Sequence, residues 1–284
     1  MYKQFGVREI CNVVFKAKTD RKIGSADFKA GQPVIYFDSL KTSSIEGAST
    51  TVYAQGGRGN PRLIAWEGER TVTFTMEDAL ISPMGFAILS GAGLINATAE
   101  APIKTHMTQR ITATSTFEGP NPYVGTTDAE KANYPIYALT FNGDTMIGSQ
   151  KVADLAAAKG LIKDNVDAVL LDYYVEETAK LTQIDIEPDK FGGNFYIEAE
   201  TLFRDKDGAD HAAEFIIPNG KVQSNFTFTM ASSGDPSTFT FTVDAFPGYA
   251  KFDNTKKVMA SLQIVDETPV TETSTTVVEE EDNI

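Results

Sequence analysis

Two histidines, one cysteine and a few neighbouring carboxylates are the side chains of this 284-residue sequence that could support chemistry. His106 and His211 stand in neither an HExxH nor an HxE arrangement, the spacings that aim two ligands, or a ligand and a base, at one metal. One surface and one half-buried structural position are expected for them. Cys11 is alone, so no intrachain disulfide or thiolate zinc cluster can form, and a small buried apolar role follows. Glu67-Gly68-Glu69 and Glu176-Glu177 bring carboxylates close, as glycoside hydrolysis requires. Strand neighbours such as Glu176 and Glu177 point to opposite faces, however, and solvated edges account for both sets.

Backbone chemistry offers two further candidates. Gln55-Gly56-Gly57-Arg58-Gly59-Asn60-Pro61 has the unhindered amides of a phosphate cradle, but no helix N-terminus follows to complete an anion site, and a connecting loop is expected. Asp205-Lys206-Asp207-Gly208-Ala209-Asp210 opens like a calcium loop. The bidentate glutamate needed at the twelfth position is Ile216, and no flanking helices are expected, so the segment reads as a hairpin turn at Asp207-Gly208. No G-x-S-x-G elbow, G-x-x-x-x-G-K-[ST] loop or strand-led G-x-G-x-x-G is present. The reading is of a protein that is not an enzyme and has no catalytic, cofactor-binding or metal-binding residue.

Lys+Arg 25 against Asp+Glu 39 give −14, the wrong sign for gripping duplex DNA or an anionic membrane. Half of that charge lies in Asp266–Ile284, with seven acids and no base. This stretch of Thr, Glu and Val reads as a flexible acidic tail. At 42% hydrophobic residues the chain can bury a core, in one or two domains. No apolar run reaches membrane-spanning length, and Met1 to Glu9 lacks the apolar stretch of a secretory signal. Neither export by that route nor membrane insertion is expected.

Period-two alternation of apolar and small polar residues dominates, as half-buried strands require. It is clearest in Thr71–Met76, Phe226–Met230 and Phe239–Val243. The last two flank a turn-forming cluster and predict a hairpin with Phe226 opposite Val243, Phe228 opposite Phe241 and Met230 opposite Phe239. Core positions are expected at Phe74, Met76, Phe226, Phe228, Phe239 and Phe241. Ser82-Pro83 predicts a short helix stopped by Gly91 or Gly93, and Ser149 a second over Val152–Lys159 ended by Gly160. Changes of character near Glu118–Pro122 and Pro218–Gly220 divide the chain. Residues 1–121 and 219–265 form a β core, 122–218 an inserted β-rich domain, and 266–284 the tail.

Over Gly31–Leu94 and Phe215–Gly248 the chain resembles the tail tube (major tail) proteins of tailed bacteriophages. The resemblance rests on Gln55 to Arg70 running into Thr71 to Leu80. It rests also on Ile216 to Asn225 running into the Phe/Thr stretches and Asp244-Ala245-Phe246-Pro247-Gly248. It implies a mainly β subunit, a β-sandwich or half-barrel with one or two short helices. Six such subunits would close a ring, and the rings would stack into the conduit of the virion tail, assembled in the host bacterial cytoplasm. Its partners would be further copies of the chain, other tail proteins such as sheath, baseplate or terminator, and viral DNA passing through the lumen without specific binding. The family's long loop between two early strands, which reaches the next ring, corresponds to Thr42–Pro61. Inter-subunit candidates are therefore Thr42, Ser43, Ser44, Gln55, Gly56, Gly57, Arg58, Gly59, Asn60, Pro61 and Arg62. Rival readings are another virion component (baseplate, capsid or decoration) and a carbohydrate-binding adhesin module stacking sugars on Trp66 and Tyr173-Tyr174.

Overall fold

Strand sequences that alternate Val13, Phe15 and Ala17 with Asn12, Val14 and Lys16 bury one row and leave the other outside, and the first row is fully buried. The computed structural model describes residues 4–24, 26–115, 117–227, 230, 232–234 and 237–265. In chain order the first strands are β1 (Phe5–Val7), β2 (Asn12–Ala17), β3 (Arg21–Ile23), β4 (Ala26–Phe28), β5 (Pro33–Phe37), β6 (Leu40–Gln55) and β7 (Arg62–Asp78). Helix α1 (Pro83–Ser90), β8 (Gly93–Asn96), β9 (Ile103–Thr112), α2 (Asp128–Asn133), β10 (Ile136–Asn142), β11 (Thr145–Val152), α3 (Leu155–Lys159) and β12 (Ala168–Glu177) follow. The chain continues through β13 (Thr182–Asp185), β14 (Asn194–Asp205), β15 (Asp210–Val222), β16 (Phe239–Ala245), β17 (Gly248–Ala250), β18 (Asp253–Val258) and β19 (Ser261–Ile264). The architecture is the expected mainly β one, made of several antiparallel sheets with no closed barrel among the described residues.

Two compact units divide the chain: residues 1–94 with 184–284, and residues 95–183. The expected division at 122–218 differs at both ends. β9 lies in the second unit, while β14 and β15 lie in the main sheet of the first. Pro218 looked like a boundary because proline cannot donate to a ladder. In the structure it sits inside β15 at a register shift, where pairing passes from Ile197↔Ile217 to Phe195↔Gly220.

The first unit is built on a nine-stranded sheet ordered β5-β2-β14-β15-β16-β7-β6, with β1 added to β14 and β19 to β15. Phe37 on β5 and Phe241 on β16 are not on neighbouring strands, yet their rings meet edge-on at 5.0 Å. The sheet therefore curls around its core. Phe74, Met76, Phe239 and Phe241 lie in that core, and the partly buried Phe226 packs against it. The register expected between Phe226–Met230 and Phe239–Val243 is not the one observed. Val243 is opposite Val222 and Phe74, Phe241 is opposite Met76, and Met230 is exposed. β16 has β15 on one edge and β7, distant in sequence, on the other, and Phe226 meets the ring of Phe86 on α1 edge-on at 4.9 Å. Phe228 and the tail 266–284 lie outside the described residues.

Helix α1 forms as the sequence predicts. Ser82 Oγ accepts from the Gly85 amide at 3.0 Å, Pro83 supplies the fixed first-turn φ, and Gly91 ends the helix at φ 72°. Gly85 sits against Ile35 and Phe241, so the helix covers the open side of the curled sheet. A Cβ on Gly91 would lie 2.2 Å from the Phe191 carbonyl carbon. Gly91→Ala is expected to cost about 2–4 kcal/mol from left-handed strain and backbone collision together. Urea denaturation of the variant checks this.

The second unit is a four-stranded sheet, β11-β10-β12-β9, over a small core of Ile111, Ala138, Val169, Leu171, Tyr173 and neighbours. α3 is shorter than predicted and is capped by Asp154, because Ser149 is consumed in β11. α2 was not expected, although Thr127 and Glu130 form a full capping box that marks its start.

Candidate functional site

From Gly47 to Thr71 the β6–β7 hairpin leaves the body of the first unit. Below that point Ile45 and Val72 pack against the core and Phe74 is buried in it; above it every residue is exposed except the half-buried Ala54 and Gly56. β16 pairs β7 only over Thr73–Asp78, and β6 ends the sheet. The projecting part is thus a two-stranded arm with both edges and both faces free.

The segment Thr42–Pro61, which corresponds to the family's inter-ring loop, is mostly strand. β-branched and small residues at Ile45, Thr50, Thr51 and Val52 favour the pleat, and pairing with β7 runs from Leu40↔Asp78 to Gln55↔Arg62. Thr42, Ser43 and Ser44 lie at the base of the arm. Ser43 Oγ accepts from the Cys11 amide at 3.1 Å, and Thr42 Oγ1 donates to Glu77 Oε2 at 3.3 Å. Gln55–Arg62 forms a tight turn. Gly57 and Gly59 take left-handed φ, and the Asn60 side-chain amide donates to Gln55 Oε1 at 3.3 Å. Arg58 is exposed at the tip, and the Arg62 guanidinium lies 4.0 Å over the Tyr53 ring.

Cross-strand pairing puts Val52 beside Trp66 and Ala54 beside Ile64 on one face. Val52, Ile64 and Trp66 are 61%, 54% and 52% exposed, and Leu63 is 64% exposed. Trp66 is not in the core. A free two-stranded hairpin is marginal in water, and a contiguous apolar face of this kind marks a surface that another molecule covers.

The other candidate groups resolve structurally. His106 is exposed with Nε2 3.1 Å from Asp172 Oδ1. His211 is fully rather than half buried, with Nδ1 3.0 Å from the Val265 carbonyl and Nε2 3.0 Å from Asp205 Oδ2, and the bond from His211 is the main cause holding the Asp205 carboxyl below its ordinary range. The calcium-like segment is a hairpin turn between β14 and β15, where Asp205 Oδ1 accepts from the Asp207 and Ala209 amides. Burial pushes the Cys11 thiol up. Tyr173 is fully buried, so it offers no face to a sugar. Among the described residues no group of three or more His, Cys, Asp or Glu side chains could hold a metal ion, and no helix is long and apolar enough to cross a membrane.

In the second unit the Glu130 carboxylate accepts from Thr126 Oγ1 and the Thr126 amide at 2.8 Å and from the Thr127 amide at 3.1 Å. These bonds, the Thr126 hydroxyl first, lower its pKa from 4.5 to about 2. Because the folded value is the lower one, the contribution of this cap is complete above pH 4.5 and disappears as pH falls through about 2. A side-chain carboxyl titration by NMR should show this, and Glu130→Gln should remove the step.

A family model described as the YomU/Tube protein family matches residues 6–263, a span that takes in both compact units. No curated protein matches the chain.

Proposed function

The chain belongs to the YomU/Tube protein family, and from that premise we propose that it is a structural subunit of a phage tail tube. It assembles with copies of itself into hexameric rings, and the rings stack into the conduit through which viral DNA leaves. The observation that carries this reading is the β6–β7 arm: an exposed two-stranded projection with an apolar face has no use in an isolated subunit and serves as an inter-ring contact. Thr42, Ser43 and Ser44 anchor it, and Gln55 to Arg62 form its leading end. An acidic subunit keeps polyanionic DNA off the wall, since like charges repel, so the genome passes without specific binding. Sheath, baseplate or terminator proteins cap and cover the tube, which belongs to the virion tail and is assembled in the host cytoplasm. The unit at residues 95–183 is an addition to the ring-forming sheet.

Electron microscopy of the purified chain, concentrated at moderate salt and followed in parallel by light scattering, tests the reading. Six-fold rings or hollow tubes are expected. A chain that stays monomeric at all concentrations, including in the presence of preformed tail ends, would refute it.

A further inference from the structure

An arm that buries an apolar face on another subunit needs a receiving surface of matching shape and opposite charge. The outer face of the main sheet carries a groove of about 470 Å³ whose apolar lining includes Ile10, Leu202 and Val265 and whose carboxylates are Glu9, Glu200 and Glu214. Glu200 and Glu214 are directly opposite each other on β14 and β15, an arrangement that costs stability on a sheet. Glu198, on the same face, has Lys16 as its partner, whereas Glu200 and Glu214 have no ion pair among the described residues. Burial first, and then Glu198 and Glu200, push the Glu214 carboxyl up. The groove is an apolar floor with unneutralised negative charge beside it.

The leading end of the arm is its complement. Arg58 is exposed at the turn just beyond the apolar Val52, Ile64 and Trp66, Arg62 lies over Tyr53 on the opposite face, and neither arginine has a carboxylate partner within the chain among the described residues. We propose that the end of the β6–β7 arm of one subunit docks in the Glu200/Glu214 groove of the next, its apolar face on the groove floor, Arg58 of its turn against the two carboxylates and Arg62 adding positive charge from the outer face. This rests on the tube reading above and adds to it the partner surface.

Charge separates this occupant from its competitors. The chain's own segment beyond Val265 carries seven acids and no base, the same sign as the groove. A second depression, about 420 Å³ around Phe252, Val258 and Leu262, has Lys256 at its edge, and the one carboxylate there, Asp253, already has that lysine as partner. An arm-to-groove contact is also heterologous, joining different surfaces of two copies, and contacts of that kind propagate instead of closing after two subunits.

Charge reversal on each side, and mixing of the two, tests the proposal in the full chain. Glu200→Arg with Glu214→Arg, and separately Arg58→Glu with Arg62→Glu, should each raise the threshold concentration for assembly at least about tenfold. An equimolar mixture of the two variants should assemble near the wild-type threshold, because each arm then meets an oppositely charged groove. Thermal melting establishes that both variants fold; if the arginine pair does not, Glu200→Gln with Glu214→Gln should weaken assembly and flatten its salt dependence. Assembly of the groove variant at the wild-type threshold, or failure of the mixture to recover, would overturn the docking site. If removing the arm still abolishes assembly in that case, the tube reading survives. Assembly unaffected by removing the arm would sink the docking site alone, and a wild-type chain that never self-associates would sink both.

Discussion

Excising residues 49–70, with Ala48 joined to Thr71 through an Asn-Gly turn, abolishes self-association and leaves the subunit folded. Ala48↔Thr71 and Gly47↔Val72 are paired in the native register, so a two-residue turn of the primed type closes the shortened hairpin without a register slip. No residue removed is buried, and the melting temperature should change by no more than about 1–2 °C, roughly the equivalent of 0.5 kcal/mol for a chain of this size. The assembly energy, in contrast, is concentrated in the excised part. Burying a side chain such as Val52, Leu63 or Ile64 contributes about 1.5–3 kcal/mol, and tryptophan is the residue type most often found at the energetic centre of an interface. Trp66→Ala alone should raise the assembly threshold about 10- to 100-fold, since truncating such a residue costs about 2 kcal/mol and every 1.4 kcal/mol is tenfold. Sedimentation velocity and circular dichroism of the same samples separate the two effects. An excised chain that still forms rings and tubes would show that the arm is dispensable; one that no longer melts cooperatively would show that it is part of the fold.

What the sequence made legible was local. The Ser82-Pro83 start and Gly91 stop define α1 because cap, first-turn proline and left-handed glycine act within a few residues of one another. The alternation around Phe74 and Phe241 identified strands because period two is a property of the strand itself. Pairing was not legible. Pattern puts Val243 opposite Phe226, but β16 pairs β15 with Val243 opposite Val222 and takes β7, distant in sequence, on its other edge, and that register is decided by the whole core rather than by the two segments. The arm was placed, through its glycines and the resemblance, but not as a projection: alternation in Ser44–Ala54 looks the same whether a strand lies on a core or projects from it. Glu200 and Glu214 escaped notice for the same reason. Fourteen positions apart, they become neighbours only through the register of the β14–β15 hairpin. Thr127 and Glu130 could have been found, since a capping box is a local signal, but α2 buries no residue and has no apolar periodicity to draw attention to it.

Phe15→Ala should destabilise the subunit by about 3–5 kcal/mol, the usual cost of truncating a fully buried phenylalanine. Phe15 is 0% exposed and is the middle ring of a run that crosses the curled sheet. Its centroid is 5.4 Å from Phe195 on β14 and 5.3 Å from Phe37 on β5, and Phe37 in turn is 5.0 Å from Phe241 on β16. Phe241 is opposite Met76 on β7, just below the point where the arm departs. The run thus ties the central strands to the base of the arm, and a cavity at Phe15 loosens that base as well as the core. Phe15→Leu keeps most of the volume and should lose well under half as much. Val52→Ala, on the exposed arm, should change subunit stability by no more than about 0.5 kcal/mol while weakening assembly. Urea denaturation of the three variants at subunit concentrations below the assembly threshold gives the comparison. A loss under about 1 kcal/mol for Phe15→Ala would mean that the site relaxes around the missing ring, contrary to a core packed at interior density. Losses in the order Phe15→Ala, Phe15→Leu, Val52→Ala, with assembly weakened most per unit of stability by the last, would separate the residues that build the platform from those that the platform presents.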